Sequence, residues 1–141
     1  MKKNIYIKLI TLIILLGSYN NLFSQADTLM SICSKHFTIP FVSDGQQYRT
    51  LIAEDETAEF KVTFYGGSTY RIVGCTGLSD GNLIFSLYDK ERNELFSNKD
   101  YNNSPYWDFK FKSTIDCVIE AKLSGNSVKS GFAIILIGFK P

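Results

Sequence analysis

Between Tyr106 and Lys112 the chain alternates with a period of two. Trp107, Phe109 and Phe111 fall on one side, and Asp108, Lys110 and Lys112 on the other. Only extended backbone puts every second side chain on one face, so this segment reads as a half-buried β-strand with Trp107 toward the core. The same period recurs in Phe60–Phe64, in Leu83–Tyr88 and in Ile115–Ala121. Phe132–Phe139 is instead continuously apolar, as expected for a strand covered on both faces. Shorter strand candidates are Phe37–Val42, Tyr48–Ala53, Tyr70–Cys75 and Glu94–Asn98. Turn chemistry separates them, as in Ser43-Asp44-Gly45, Gly66-Gly67-Ser68, Ser79-Asp80-Gly81-Asn82 and Asn102-Asn103-Ser104-Pro105. About nine strands with no long helical pattern predict an all-β fold, a single antiparallel β-sandwich or jelly roll. Thr28–Lys35 is the one short helix expected. Phe60, Phe64, Phe85, Trp107, Phe109, Ile119 and Leu136 are the expected core.

The N-terminus has a different logic. Lys2 and Lys3 form a basic tip, Ile5–Leu16 is apolar apart from Lys8 and Thr11, and Ser24-Gln25-Ala26 offers small residues at a cleavage site. That layout is a secretory signal peptide. The apolar run is shorter than the roughly 20 residues that span a bilayer. Residues 1–26 are therefore expected to be removed, leaving one β-sandwich domain over 27–141 in the periplasm or outside the cell, with no transmembrane segment. Loss of Lys2, Lys3 and Lys8 moves the formal charge from +1 to −2. This balance gives no electrostatic footprint for nucleic acid.

Three cysteines, Cys33, Cys75 and Cys117, lie beyond the cut, an odd number for an oxidising compartment. A Cys75–Cys117 bridge would close a loop of about 42 residues and stabilise by roughly 4 kcal/mol on the chain-entropy estimate. Parity opposes it. Cys117 is in phase with the inward set Ile115, Ile119 and Ala121, while Cys75 is in phase with Arg71, opposite Tyr70 and Ile72. Gly74 offers a bulge that would re-aim Cys75. Buried free thiols are the simpler expectation.

Catalytic constellations are sparse. His36 is the only histidine, and no Gly-x-Ser-x-Gly elbow supplies a nucleophile for it. Cys33, three residues earlier, is the best nucleophile–base partner the chain offers, and a cysteine-dependent enzyme would use that pair. One histidine and three scattered cysteines show no metal-ligand spacing. Glu54, Asp55, Glu56 and Glu59 form an acidic loop without the spacing that converges oxygens on a cation. No cofactor is implied. The aromatic stretch around Tyr101, Asn102, Asn103 and Tyr106 pairs rings with amides, the combination that stacks on and hydrogen-bonds a sugar. With Trp107 assigned to the core, these four residues are the candidate ligand-binding loop.

Tyr70-Arg71-Ile72-Val73, Leu83-Ile84-Phe85-Ser86-Leu87-Tyr88-Asp89 and Asn93-Glu94-Leu95-Phe96 together resemble the bacterial pre-peptidase C-terminal domains over residues 48–139. The chain is similar also to small secreted bacterial proteins. The resemblance implies a jelly-roll accessory module without catalytic residues. The expected function is a secreted, non-enzymatic binding or structural module of the bacterial envelope, its partner a protein, an envelope component or a glycan. A carbohydrate-binding module using Tyr101 and Tyr106 is the first alternative.

Overall fold

Eight antiparallel strands make two four-stranded sheets in a computed structural model that describes residues 21–77, 79–125 and 129–140. The strands are β1 (Val42–Ala53), β2 (Thr57–Phe64), β3 (Thr69–Cys75), β4 (Leu83–Asp89), β5 (Glu94–Ser97), β6 (Tyr106–Lys110), β7 (Ile115–Leu123) and β8 (Ser130–Lys140). Sheet A runs β1-β8-β3-β6 and sheet B runs β2-β7-β4-β5, the strand order of a jelly roll. A helix, α1 (Asn21–Ser34), precedes them. Residues 1–20, most of the expected signal peptide, lie outside the described residues, and α1 runs through the expected cut after Ala26.

Alternation builds the core as expected. Phe64, Phe85, Leu87, Ile119 and Ala121 from sheet B meet Tyr70, Ile72, Ile135 and Ile137 from sheet A. Gly74 faces inward among them, because a Cβ there would come within 2.8 Å of the Phe85 ring. The apolar run of β8 is covered on both sides. Ala133, Ile135 and Ile137 enter the inter-sheet core, while Ile134 and Leu136 join Val73 and Cys75 in a second cluster on the outer face of sheet A. Leu29, Met30 and Cys33 of α1 cap that cluster.

Leu136 is buried as expected, beneath α1 on the outer face of sheet A. Two expectations need correction. Phe60, Trp107 and Phe109 point inward yet are only partly buried, because β2 and β6 are edge strands. The segment Phe37–Val42 is not a ninth strand. Phe41 N–H bonds Thr38 O in a turn, and Pro40 has no N–H to give a ladder.

The cysteines pair as the sequence reading did not foresee. Cys33 bridges Cys75, which are 42 residues apart, and Cys117 is the free, buried cysteine. Parity held: Cys75 faces outward, β3 pairs with β8 without a bulge, and Cys117 faces inward. The outward face had a cysteine waiting on α1. Burial raises the Cys117 thiol pKa to about 11, which keeps it protonated and inert at neutral pH.

Candidate functional site

Arg71 stands outward on β3, between core-facing Tyr70 and Ile72, and is only 8% exposed. A guanidinium this covered must be paired. Register supplies the partner, since Arg71 lies directly opposite Asp108 on β6. Nε and Nη2 donate to the two Asp108 carboxylate oxygens at 2.7 and 2.9 Å, a bidentate pair. Asp108 accordingly raises the Arg71 pKa, chiefly through this hydrogen bond. Nη1 donates to the His36 carbonyl at 2.8 Å and to Thr38 Oγ1 at 3.2 Å. The rings of Phe41 and Tyr106 lie 4.2 and 4.3 Å from the guanidinium carbon, within cation–π range.

Arg71 thus ties residues 35–41 down as a strap across sheet A. The disulfide holds one end, and β1 holds the other. Phe37 lies against β8 where Gly138 makes room, since a Cβ at Gly138 would meet the ring at 2.6 Å. His36 Nε2 sits 3.1 Å from Asp80 Oδ1, and its ring is 5.6 Å from Tyr106. At the apex is a cis Ile39–Pro40 peptide, and Ile39 is 97% exposed. Val42, just beyond, is 49% exposed. Ile39 is thus an exposed apolar side chain on a segment anchored on both sides, by the Arg71 hydrogen bond to the His36 carbonyl and by the Phe41 ring.

The sequence-expected loop does not converge on one surface. Tyr101 stacks on Phe96 at 5.5 Å and packs on Trp107 at 4.2 Å. Phe96 also contacts Trp107 and Phe109, so these rings seal the flank where edge strands β5 and β6 meet. Tyr106, one residue before Trp107 in the alternation, is on the opposite face of sheet A with Arg71 and His36. Asn102 and Asn103 adopt left-handed backbone, with φ of 54° and 52°, which asparagine tolerates. The Asn103 amide donates to Gly81 O at 3.1 Å.

The loop's anchor is Asn98, which the sequence reading passed over. It is fully buried, accepts the Phe85 N–H at 2.9 Å and donates to Leu83 O and Ser104 O, both at 3.0 Å. The Cys33–His36 nucleophile pair is overturned, because the Cys33 sulfur is committed to the disulfide. His36 does have an orienting carboxylate, Asp80, 44 residues away. In the acidic loop Glu56 caps the β1–β2 turn through the Ala53 N–H, and Glu59 binds Arg92. Among the described residues no three His, Cys, Asp or Glu side chains converge to hold a metal.

No protein-family model matches the chain, and no curated protein does. Among solved structures the fold is similar to PliG of Aeromonas hydrophila, a periplasmic lysozyme inhibitor of g-type lysozyme. The TM-score is 0.52 and the identity 11%, over 73% of this chain and 90% of that one. At that identity the likeness establishes the β-sandwich fold alone.

Proposed function

We propose that this chain is an exported, non-enzymatic binding protein of the bacterial envelope, and that its partner is another protein docked at the strap apex. The observation that carries this reading is Ile39, almost wholly exposed on a strap held by a disulfide, a buried arginine and two packed aromatic rings. Preorganisation of this kind removes the ordering cost that a flexible loop incurs on binding. A convex apolar tip fits a partner with an apolar cleft. One similar solved structure is that of an inhibitor of g-type lysozyme, which makes a cell-wall hydrolase the first partner to try. The resemblance to pre-peptidase C-terminal domains also points to a non-catalytic accessory module.

The test uses the mature protein and purified g-type lysozyme, read by surface binding and by residual lysozyme activity. Ile39→Asp is expected to weaken binding about 30-fold, the scale of a lost hot spot of about 2 kcal/mol. Its melting temperature should stay the same, because the side chain packs against nothing. Equal binding by the variant would remove the strap as the interface, and no binding by the unaltered protein would remove lysozyme as the partner.

Export has its own test. Leu29, Met30 and Cys33 of α1 pack on the outer face of sheet A, and a cut after Ala26 keeps all three. The exported product is expected to begin at Asp27 by N-terminal sequencing and intact mass. A full-length species retained in the membrane would contradict it.

A further inference from the structure

The outer face of sheet B, on the opposite side of the sandwich from the strap, carries a depression of about 260 Å³. Side-chain length explains it. Cross-strand pairing sets Glu120, Ser86 and Ser97 in one row, and the two serines are the short members of that row. Longer residues stand on both sides: Lys122 and Ile84 in the next row one way, Tyr88 and Glu94 in the row the other way. The serines are consequently 8% exposed although they face away from the core.

The chemistry of the lining is poised. The Ser86 hydroxyl bonds the Ser97 hydroxyl at 2.9 Å and is also in hydrogen-bond contact with the Tyr88 hydroxyl, so the three form one polar row along the floor. Arg92 grips Glu120 Oε1 at 2.7 Å and Glu59 at 2.9 Å. It thereby offsets the repulsion of two carboxylates directly opposed across β2 and β7. Among the described residues no hydrogen bond or ion pair engages Glu120 Oε2, which keeps its acceptor capacity beside the anchored Oε1. Tyr88 is oriented by its hydroxyl bond to Glu94 at 2.9 Å. Among the described residues no ion pair engages Lys99, Asp100 or Lys122, which complete the rim.

Charge decides the ligand class. Glu94, Asp100 and Glu120 face Lys99 and Lys122, and the adjacent Arg92 is shared between Glu120 and Glu59, so the lining carries both signs with one carboxylate in excess and has no cluster of bases for an anion. It offers separate donors and acceptors around a small apolar patch, Ile84 and the Tyr88 ring. A sugar has the matching surface, with hydroxyls at its edge and C–H groups on its face. A larger depression of about 470 Å³ beside Cys117 lacks this character. Its Lys90 and Thr63 both donate to Asp116, one to each carboxylate oxygen.

We infer that the depression formed by Ser86, Ser97, Tyr88 and Glu120 binds a neutral, hydroxyl-rich oligosaccharide, independently of the strap. The test is an amide NMR titration of the mature protein with cellotriose, maltotriose and an N-acetylglucosamine trimer at millimolar concentration. At least one sugar is expected to give saturable shifts at Ser86, Tyr88 and Ser97. Tyr88→Ala should weaken it about tenfold, the scale of one lost ring contact. Lys122→Ala, on the exposed rim, should weaken it severalfold without altering the fold, and Ile39→Asp should leave it unchanged. No saturable shift with any of the three sugars would overturn the inference. So would shifts confined to Tyr101, Asn102, Asn103 and Tyr106, or the same shifts produced by inorganic phosphate alone.

Discussion

Phe85→Ala is expected to cost about 3–5 kcal/mol, the range for removing a fully buried phenyl ring together with the cavity it leaves. Phe85 has no exposed surface, sits beneath inward-facing Gly74 and contacts the Phe96 ring at 5.9 Å. The site cannot collapse easily. Its backbone N–H is held by Asn98, and its strand is paired on both sides. Chemical denaturation of the mature protein measures the loss, and thermal unfolding should show a fall in melting temperature on the order of 10–20 °C for a domain of this size. Phe109→Ala makes the internal comparison. Phe109 lies on edge strand β6 and is only partly buried, so its truncation should cost clearly less. Equal losses would mean that the edge aromatics are as inaccessible in solution as the central ones.

That contrast marks where reading by alternation stops. Period two says which way a side chain points, and it pointed Trp107, Phe109 and Phe60 inward correctly. It does not say whether a strand has one neighbour or two, and the sheet order made β2 and β6 edges. The continuous apolar run of β8 was legible as a doubly covered strand, because both its faces needed cover wherever that came from. Phe37–Val42 misled because its aromatics were spent differently. Phe37 seats on Gly138 and Phe41 on Arg71, neither in a ladder.

The candidate site was harder to see. Arg71 was visible as a lone base in the run Tyr70–Cys75, which signals a buried charge or an outward face. Its partner Asp108 depends on the β3–β6 register, which no local pattern carries. Tyr101 and Tyr106 sit close in sequence, yet the intervening turn puts them on different faces, so their spacing suggested a platform that the fold divides. The depression on sheet B arises from two serines in separate strands. It becomes visible only once Ser86 is known to face Ser97.

Removing the disulfide by Cys33→Ala with Cys75→Ala is expected to cost about 4 kcal/mol on the chain-entropy estimate for a loop of its length. The separation of 42 residues sets that figure, because the cross-link restricts a long stretch of the unfolded chain. The loss should also be uneven across the fold. Sheet B and the inter-sheet core contain neither cysteine, whereas the bridge joins α1 and the strap to β3. In the variant, hydrogen exchange should therefore rise first across residues 29–41, while the amides of β4 and β7 stay protected until global unfolding. Cys117 does not rescue the linkage, since its inward side chain is on the wrong face and its raised pKa leaves almost no thiolate at neutral pH. Thiol titration checks the premise. The native oxidised protein should show no reactive thiol, and the denatured protein should show one, from Cys117. Three thiols on denaturation would mean that the bridge does not form. A stability loss below about 1 kcal/mol would mean that packing of Leu29, Phe37 and Arg71 alone holds the strap, with the disulfide contributing little to the order that presents Ile39.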